Sequence, residues 1–255
     1  DLHLSLRRQR QMCIRDRLFD EGRSDRIIWL LVGGMTLVSL SCLLVPNPAR
    51  LERTGSKIKT HMQIFLSPLF IFFLITTGLT HVSHSVLYGF GTLYWLSQGH
   101  SEVIIGFFWS VGVLAEIILF TTIGRIEKQI GYLLLLSLAS VAAVIRWPLL
   151  AIFDSQFAII LLQILHGFTF GAAHLGAMAF LTQNVPQEIS ATGQSWYYTL
   201  VGGIFSGCML PFAGMLYSDL AGDAFFVMSC VAGCSLISLF ILNQIAKQNP
   251  EAISN

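Results

Sequence analysis

VIIGFFWSVGVLAEIILFTTI, Val103 to Ile123, holds a single charged residue, Glu116. The run has no alternation of period two, so it does not read as a strand of a membrane barrel. As a helix rising 1.5 Å per residue it is long enough to cross a hydrocarbon core of roughly 30 Å. A lone charge at the centre of a bilayer costs from about 3 to more than 10 kcal/mol. The carboxylate therefore needs a partner or a wet cavity, and the rest of the chain has to supply it.

The whole chain has the same character. Its 255 residues are 54% hydrophobic and only 11% charged, and the mean hydropathy is +0.69. Soluble domains carry about a quarter charged residues, so this is an all-α polytopic membrane protein by composition. A net charge of +1, with no basic patch between aromatics, excludes nucleic acid as an expected partner. The cysteines, Cys13, Cys42, Cys208, Cys230 and Cys234, show no metal spacing. Cys230 and Cys234 are one turn apart, which predicts small residues at a helix contact. No cofactor and no enzymatic activity are expected.

The segment RRQRQMCIRDR, Arg7 to Arg17, reads as the in-frame translation of a widely used sequencing-library adapter. Residues 1–17 are therefore set aside from fold reasoning, and five of the fifteen Lys and Arg residues go with them. The native frame is expected to continue upstream of Leu18.

Seven apolar runs are long enough to span, at 27–46, 66–96, 102–123, 131–153, 156–183, 190–218 and 223–244. The second, fifth and sixth are long, which predicts tilt or a kink. Lys and Arg alternate between loops. Arg50, Arg53, Lys57 and Lys59 follow the first span, Arg125 and Lys128 the third, and Lys247 the last, whereas LSQGHSE, DSQ and YSDLAGD have none. The positive-inside rule then places the 47–65 loop, the 124–130 loop and the C-terminus in the cytoplasm. Arg23 and Arg26 depart mildly from that rule.

Three spans each carry a polar stripe at helical spacing: His81, His84 and Tyr88; Trp109, Gly112 and Glu116; Gln163, His166, Phe170 and His174. Arg146 lies in a fourth span, beside Trp147 and Pro148. Such stripes predict a shared polar interior. There Glu116 would load and release a proton, with His166 and His174 suited to the same task because imidazole titrates near neutral pH. Arg146 would hold Glu116 ionised or take a substrate carboxylate bidentately. His84, Tyr88, Trp109 and Gln163 would contact substrate. The plainer readings stay open. Glu116 and Arg146 could be a packing pair, Arg146 could snorkel to the interface, and His81 could be a packing histidine. The small-residue runs GGIFSG and GFTFGAAHLGAM predict close helix approach, and Gly167, Gly171 and Gly176 would allow bending.

HVSHSVLYGFGTLYW, GFFWSVGVLAEIILF, VIRWPLL, LLQILHGFTFGAAHLGAM and SGCMLPFAGMLYSDLAGDAFFVM together resemble the C-terminal half of the phenylpropionate permease-like branch of the major facilitator superfamily. That branch is similar to the lactose permease and nucleoside:proton symporter groups. The resemblance runs from about Ile27 to Leu242. It implies a major facilitator-type helix bundle, of which this chain has the sixth to twelfth of twelve helices. Residues 18–46 would be the last helix of the N-terminal half, 47–65 the central cytoplasmic loop, 66–244 the C-terminal six-helix half and 245–255 the cytoplasmic tail. It also implies proton symport by alternating access, with His84, Glu116, Arg146, His166 and His174 as the polar positions carried over. The expected solute is a small organic compound such as an aromatic acid, with a sugar or nucleoside as the alternative. The expected partners are substrate, proton, the lipid bilayer of the bacterial inner membrane, and the missing N-terminal half. A stand-alone seven-helix receptor and an intramembrane metalloenzyme are the readings from other classes.

Overall fold

The structure is a computed structural model that describes residues 21–43, 63–123 and 127–248. The described part is helical throughout, and its helices fall into two units, one before and one after the boundary between Glu52 and Arg53. In the first unit, α1 spans Glu21–Cys42. Its apolar stretch is Val32–Ser41. The hydroxyls of Thr36, Ser39 and Ser41 donate back to carbonyls of their own helix, which is how a lone helix keeps such groups in hydrocarbon. The predicted end of this span, 44–46, lies outside the described residues, as do 1–17 and most of 47–65.

The second unit contains the other six predicted spans. They are α2 (Pro68–Ser97), α3 (Glu102–Ile123), α4 (Tyr132–Ile152), α5 (Gln156–Asn184), α6 (190–220) and α7 (Ala224–Gln248). Ser67 starts α2 by accepting from the Phe70 N–H, with Pro68 in the first turn, where its missing donor costs nothing. Ser155 caps α5 in the same way. The last two helices run together without a coil, over 62 residues. A straight rod of that length would reach about 93 Å, three bilayers. It is broken at Ala221, whose φ is 48°. Beyond it α7 returns antiparallel: Phe225 packs on Tyr94, while Ser238 bonds Thr76.

Three of the long helices depart from regular geometry. In α2 the His84 N–H bonds His81 O rather than Thr80 O. The freed Thr80 carbonyl then accepts from the Ser83 hydroxyl and from His84 Nδ1. In α5 a π-helical turn covers Gly167–Ala172, and in α6 another covers Tyr198–Phe205. A fourth irregularity is Pro148 inside α4. A proline leaves the carbonyl four residues back without its donor, and here Ser229 of α7 donates to that carbonyl, Val144 O, at 2.8 Å. Side chains thus take up the carbonyls that the break in α2 and the proline in α4 set free, as a helix in lipid requires.

Three apolar clusters hold the described bundle. One gathers Val86, Trp95, Phe108, Trp147, Ile159 and Phe225; the second gathers Phe70, Phe73, Phe180, Tyr197, Val201 and Leu242; the smallest gathers Leu119, Leu135, Ala139, Ala172 and Leu175. The first brings the 98–101 and 153–155 loops to one end, where His100 Nε2 donates to Asp154 O at 2.9 Å. Small residues act where two backbones meet. A methyl on Gly167 would lie 2.8 Å from Ala115 O and 3.0 Å from Ala115 C. That obstacle is backbone, so α3 and α5 would have to separate. Gly167→Ala is therefore expected to destabilise the bundle by about 1–3 kcal/mol, read as a lower Tm in detergent, whereas Gly106→Ala, with open space around it, should leave Tm unchanged. The glycines of GGIFSG, by contrast, meet little: Gly202 and Gly207 have nothing within 4 Å. Cys230 and Cys234 are exposed, because α7 packs through Met228, Ala232, Ser235 and Leu239 instead.

Candidate functional site

Arg146 is the centre of the polar interior. It sits on α4 with no exposed surface, so it does not snorkel. Its Nη1 donates to His166 Nδ1 at 2.9 Å and to Thr169 Oγ1 at 3.0 Å, and its Nη2 donates to Gln163 Oε1. The guanidinium also lies 4.9 Å from the Trp147 ring. All three acceptors come from α5, about one turn apart at 163, 166 and 169. Among the described residues, buried Nε has no partner.

The partners assign the tautomer of His166. A guanidinium only donates, so Nδ1 must carry a lone pair. The proton is then on Nε2, which donates to Glu116 Oε1 at 2.9 Å. The Tyr88 hydroxyl lies 3.4 Å from the same Nε2. Glu116 and Arg146 are thus not a direct packing pair. A neutral imidazole stands between the cation and the carboxylate and bonds both. The Glu116 side chain keeps 17% of its surface exposed while Arg146 keeps none, so the acid is the end of this chain that water can reach.

His84 is set by the same logic. Its Nδ1 faces the Thr80 carbonyl at 3.1 Å, which only accepts, so Nδ1 carries hydrogen. Its Nε2 lies 3.1 Å from Thr169 Oγ1 and bonds it. Thr169 receives from Arg146 and bonds His84. The chain of bonds runs from Glu116 through His166, Arg146, Thr169 and His84 to the carbonyl freed by the break in α2. Trp147 Nε1 completes this end by donating to Ser83 Oγ at 3.1 Å.

The remaining expected residues sit around this core. Gln163 and Tyr88 join it as described. Trp109 stacks on Tyr88 with ring centroids 6.3 Å apart, but its Nε1 donates to Thr92. His174 is placed elsewhere: it meets the rings of Phe120 and Tyr198. With His81, His84, Thr77, Thr169 and Tyr198 it lines a cavity of about 60 Å³, room for about two waters. Eight residues along an α-helix turn it about 80° past two full turns. The π-turn between His166 and His174 takes up about one extra residue, which keeps His174 on the side facing α2. His81 stays off the bonded chain and packs at 5.9 Å from Phe170. Among the described residues no group of three His, Cys, Asp or Glu converges as a metal site.

Thr169 escaped the stripes, as did Thr80 and Ser83. A hydroxyl in a membrane helix ordinarily bonds its own backbone, so nothing in its spacing distinguishes it. Its place one turn after His166 on the Gln163 stripe is the signal that could have found it.

The chain is 31% identical over 160 residues to the probable 3-phenylpropionic acid transporter of Escherichia coli (strain K12), an alignment covering 63% of this chain and 42% of that protein. The chain thus spans less than half the length of that relative. No solved structure matches it. The family model that matches, over residues 14–228, is that of the MFS_1 like family. With that match over most of its length, and with an all-helical bundle of long apolar helices, the chain belongs to the MFS_1 like family of membrane transporters.

Proposed function

We propose that this chain is the C-terminal part, helices six to twelve, of a twelve-helix transporter of the bacterial inner membrane. It carries a small organic acid, an aromatic carboxylate of the phenylpropionate type, together with a proton. The 47–65 loop and the C-terminus face the cytoplasm. The observation that carries this reading is the Arg146–His166–Glu116 chain. It puts one fixed cation and one reachable carboxyl at opposite ends of a neutral imidazole. A substrate carboxylate has a charged, buried donor in Arg146, whose Nε has no other partner among the described residues. Tyr88 and Trp109 offer aromatic faces beside it. Glu116 is the group that gains and loses the proton as the cavity alternates its opening. The name of the similar Escherichia coli protein supports the solute class.

The test is uptake of labelled 3-phenylpropionate into cells expressing the complete transporter. A protonophore is expected to lower accumulation to the equilibrium level. Accumulation that persists without a proton gradient would overturn the coupling, and competition by a sugar or nucleoside but not by aromatic acids would overturn the solute class.

A further inference from the structure

The indole N–H of Trp109 can only donate, so the direction of its bond to Thr92 Oγ1, 3.1 Å away on α2, is fixed by chemistry. The exposed threonines of α3 and α5, Thr121, Thr122 and Thr182, turn their hydroxyls back onto carbonyls of their own helix, as hydroxyls in membrane helices ordinarily do. Thr92 is exposed as well, yet its oxygen receives a bond from α3. It lies one turn beyond Tyr88, whose ring stacks on the same indole with centroids 6.3 Å apart. Both residues hold Trp109 from α2, Tyr88 by its ring and Thr92 by its oxygen.

Packing alone leaves that indole two settings. Trp109 meets the edge of Trp95, with centroids 5.5 Å apart at 68°, and the ring of Tyr88 at 27°. Such contacts depend on the plane of the ring, and a half-turn about χ2 keeps the plane. It takes the N–H away from Thr92 and puts the six-membered ring on that side. The hydroxyl therefore decides what packing leaves undecided. Contacts run in sequence from the buried cation to this bond: Arg146 to His166, His166 to the Tyr88 hydroxyl, Tyr88 to Trp109, Trp109 to Thr92. Tyr88 is 44% exposed, so the wall it forms with Trp109 is open beside the arginine. With its one donor held by Thr92, Trp109 offers a ligand only its ring. An aromatic ring carries a negative face and a positive edge, and pairs with another by matching them. A saturated ring of the same size has neither.

We propose that Thr92 is a positioning residue: by holding the indole N–H of Trp109 it fixes the setting in which Trp109 and Tyr88 select the aromatic ring of the substrate over a saturated one. This rests on the reading of the solute as an aromatic carboxylate, and it adds the residue that makes the site prefer one.

The test is binding to the purified complete transporter by calorimetry, with 3-phenylpropionate and 3-cyclohexylpropionate as probes. The two acids share the carboxylate, the chain and the ring size and differ in the π system. The wild type is expected to bind the aromatic acid about two- to tenfold more tightly, the value of an aromatic pair beyond its buried area. In Thr92→Val, which keeps the shape and removes the acceptor, that ratio is expected to fall to about one. The fall should come from a weaker Kd for the aromatic acid, with the saturated acid unchanged. Thr92→Ser returns the hydroxyl and should return the ratio. The bond itself is read by ¹⁵N NMR of the tryptophan indoles, with Trp109→Phe assigning the signal. The Trp109 N–H is expected to exchange with water more slowly in the wild type and in Thr92→Ser than in Thr92→Val.

A wild-type protein that binds both acids equally, or whose Trp109 N–H exchanges freely, overturns the proposal without any variant having to fold. A Thr92→Val protein that keeps the wild-type preference overturns it as well. So does one that loses affinity for both acids to the same extent, because a residue that only ties α2 to α3 would act on both. In each of these cases the aromatic-carboxylate reading stands. A folded wild type that binds neither acid removes that reading, and the proposal with it.

Discussion

Arg146→Met is expected to abolish active uptake and to lower the amount of folded protein in the membrane. Methionine fills part of the volume but takes no part in hydrogen bonding with His166 Nδ1, Thr169 Oγ1 or Gln163 Oε1, each of which now accepts from the guanidinium. Leaving a buried acceptor without its donor costs about 1–3 kcal/mol, more when the lost partner was charged. The Glu116 carboxylate also loses the cation two bonds away, and an uncompensated charge in this setting costs about 3–5 kcal/mol. The losses are coupled and do not add, yet either alone is large for a bundle. Arg146→Lys separates folding from function. It restores a charge, but an ammonium on a flexible stem cannot reproduce the fork that meets three acceptors on one helix face. Protein abundance is therefore expected near wild type, with uptake reduced at least tenfold. The measurement is uptake normalised to transporter quantified in the same membranes. A lysine variant transporting at the full rate would mean that Arg146 supplies only charge.

Glu116→Gln gives the second large effect, on activity alone. The carboxamide oxygen introduced by this substitution can still accept from His166 Nε2–H, so the bond that is 2.9 Å long with the native carboxylate persists, as does the packing around it. The proton site is gone. Net uptake against a gradient is expected to fall by roughly a hundredfold, on the scale of removing a positioned proton-transfer group. Exchange of internal for external substrate needs no net proton movement and should continue. Under the proposed coupling the wild-type carboxyl is protonated in one orientation and ionised in the other, and wild-type uptake is expected to respond to pH. The glutamine variant should show exchange that is flat with pH. Unchanged active uptake in this variant would remove Glu116 from the mechanism.

The spans were legible because the solvent for this chain is hydrocarbon. Lipid offers no partner to a backbone N–H or C=O, so each apolar run must be a helix. That is why the sequence boundaries of α3, 102–123, match the helix, and why those of α2, α4, α5 and α7 differ by a few residues at most. The kink expected in the long second span is present at Ser83–His84. The polar cast was legible for the same reason. Glu116, Arg146 and His166 stand out against apolar neighbours, and their energetic cost marks them.

What the runs could not show was which of these residues meet. Trp109 and Glu116 share a stripe on α3, yet Trp109 turns to Thr92 and Glu116 to His166. His81 and His84 are neighbours on α2, yet only His84 reaches the break where a carbonyl is free. His166 and His174 share a stripe on α5, yet His166 bonds Arg146 and Glu116 while His174 lines the small cavity that His84 and Thr169 also line. Helical periodicity assumes a regular turn, and the departures from it are decided by contacts elsewhere. The Gly167 backbone against Ala115 is one such contact.

By itself, then, the sequence determined that this protein is a bundle of membrane helices with a small set of ionisable groups turned inward. That follows from local composition, since each helix satisfies its own backbone. Only the tertiary structure decided that a neutral imidazole separates the arginine from the glutamate, and that a threonine joins the arginine to a second histidine. Those bonds link residues 20 to 85 positions apart. A donor of fixed type such as arginine dictates the protonation of whatever it touches, and what it touches is set by how the helices pack.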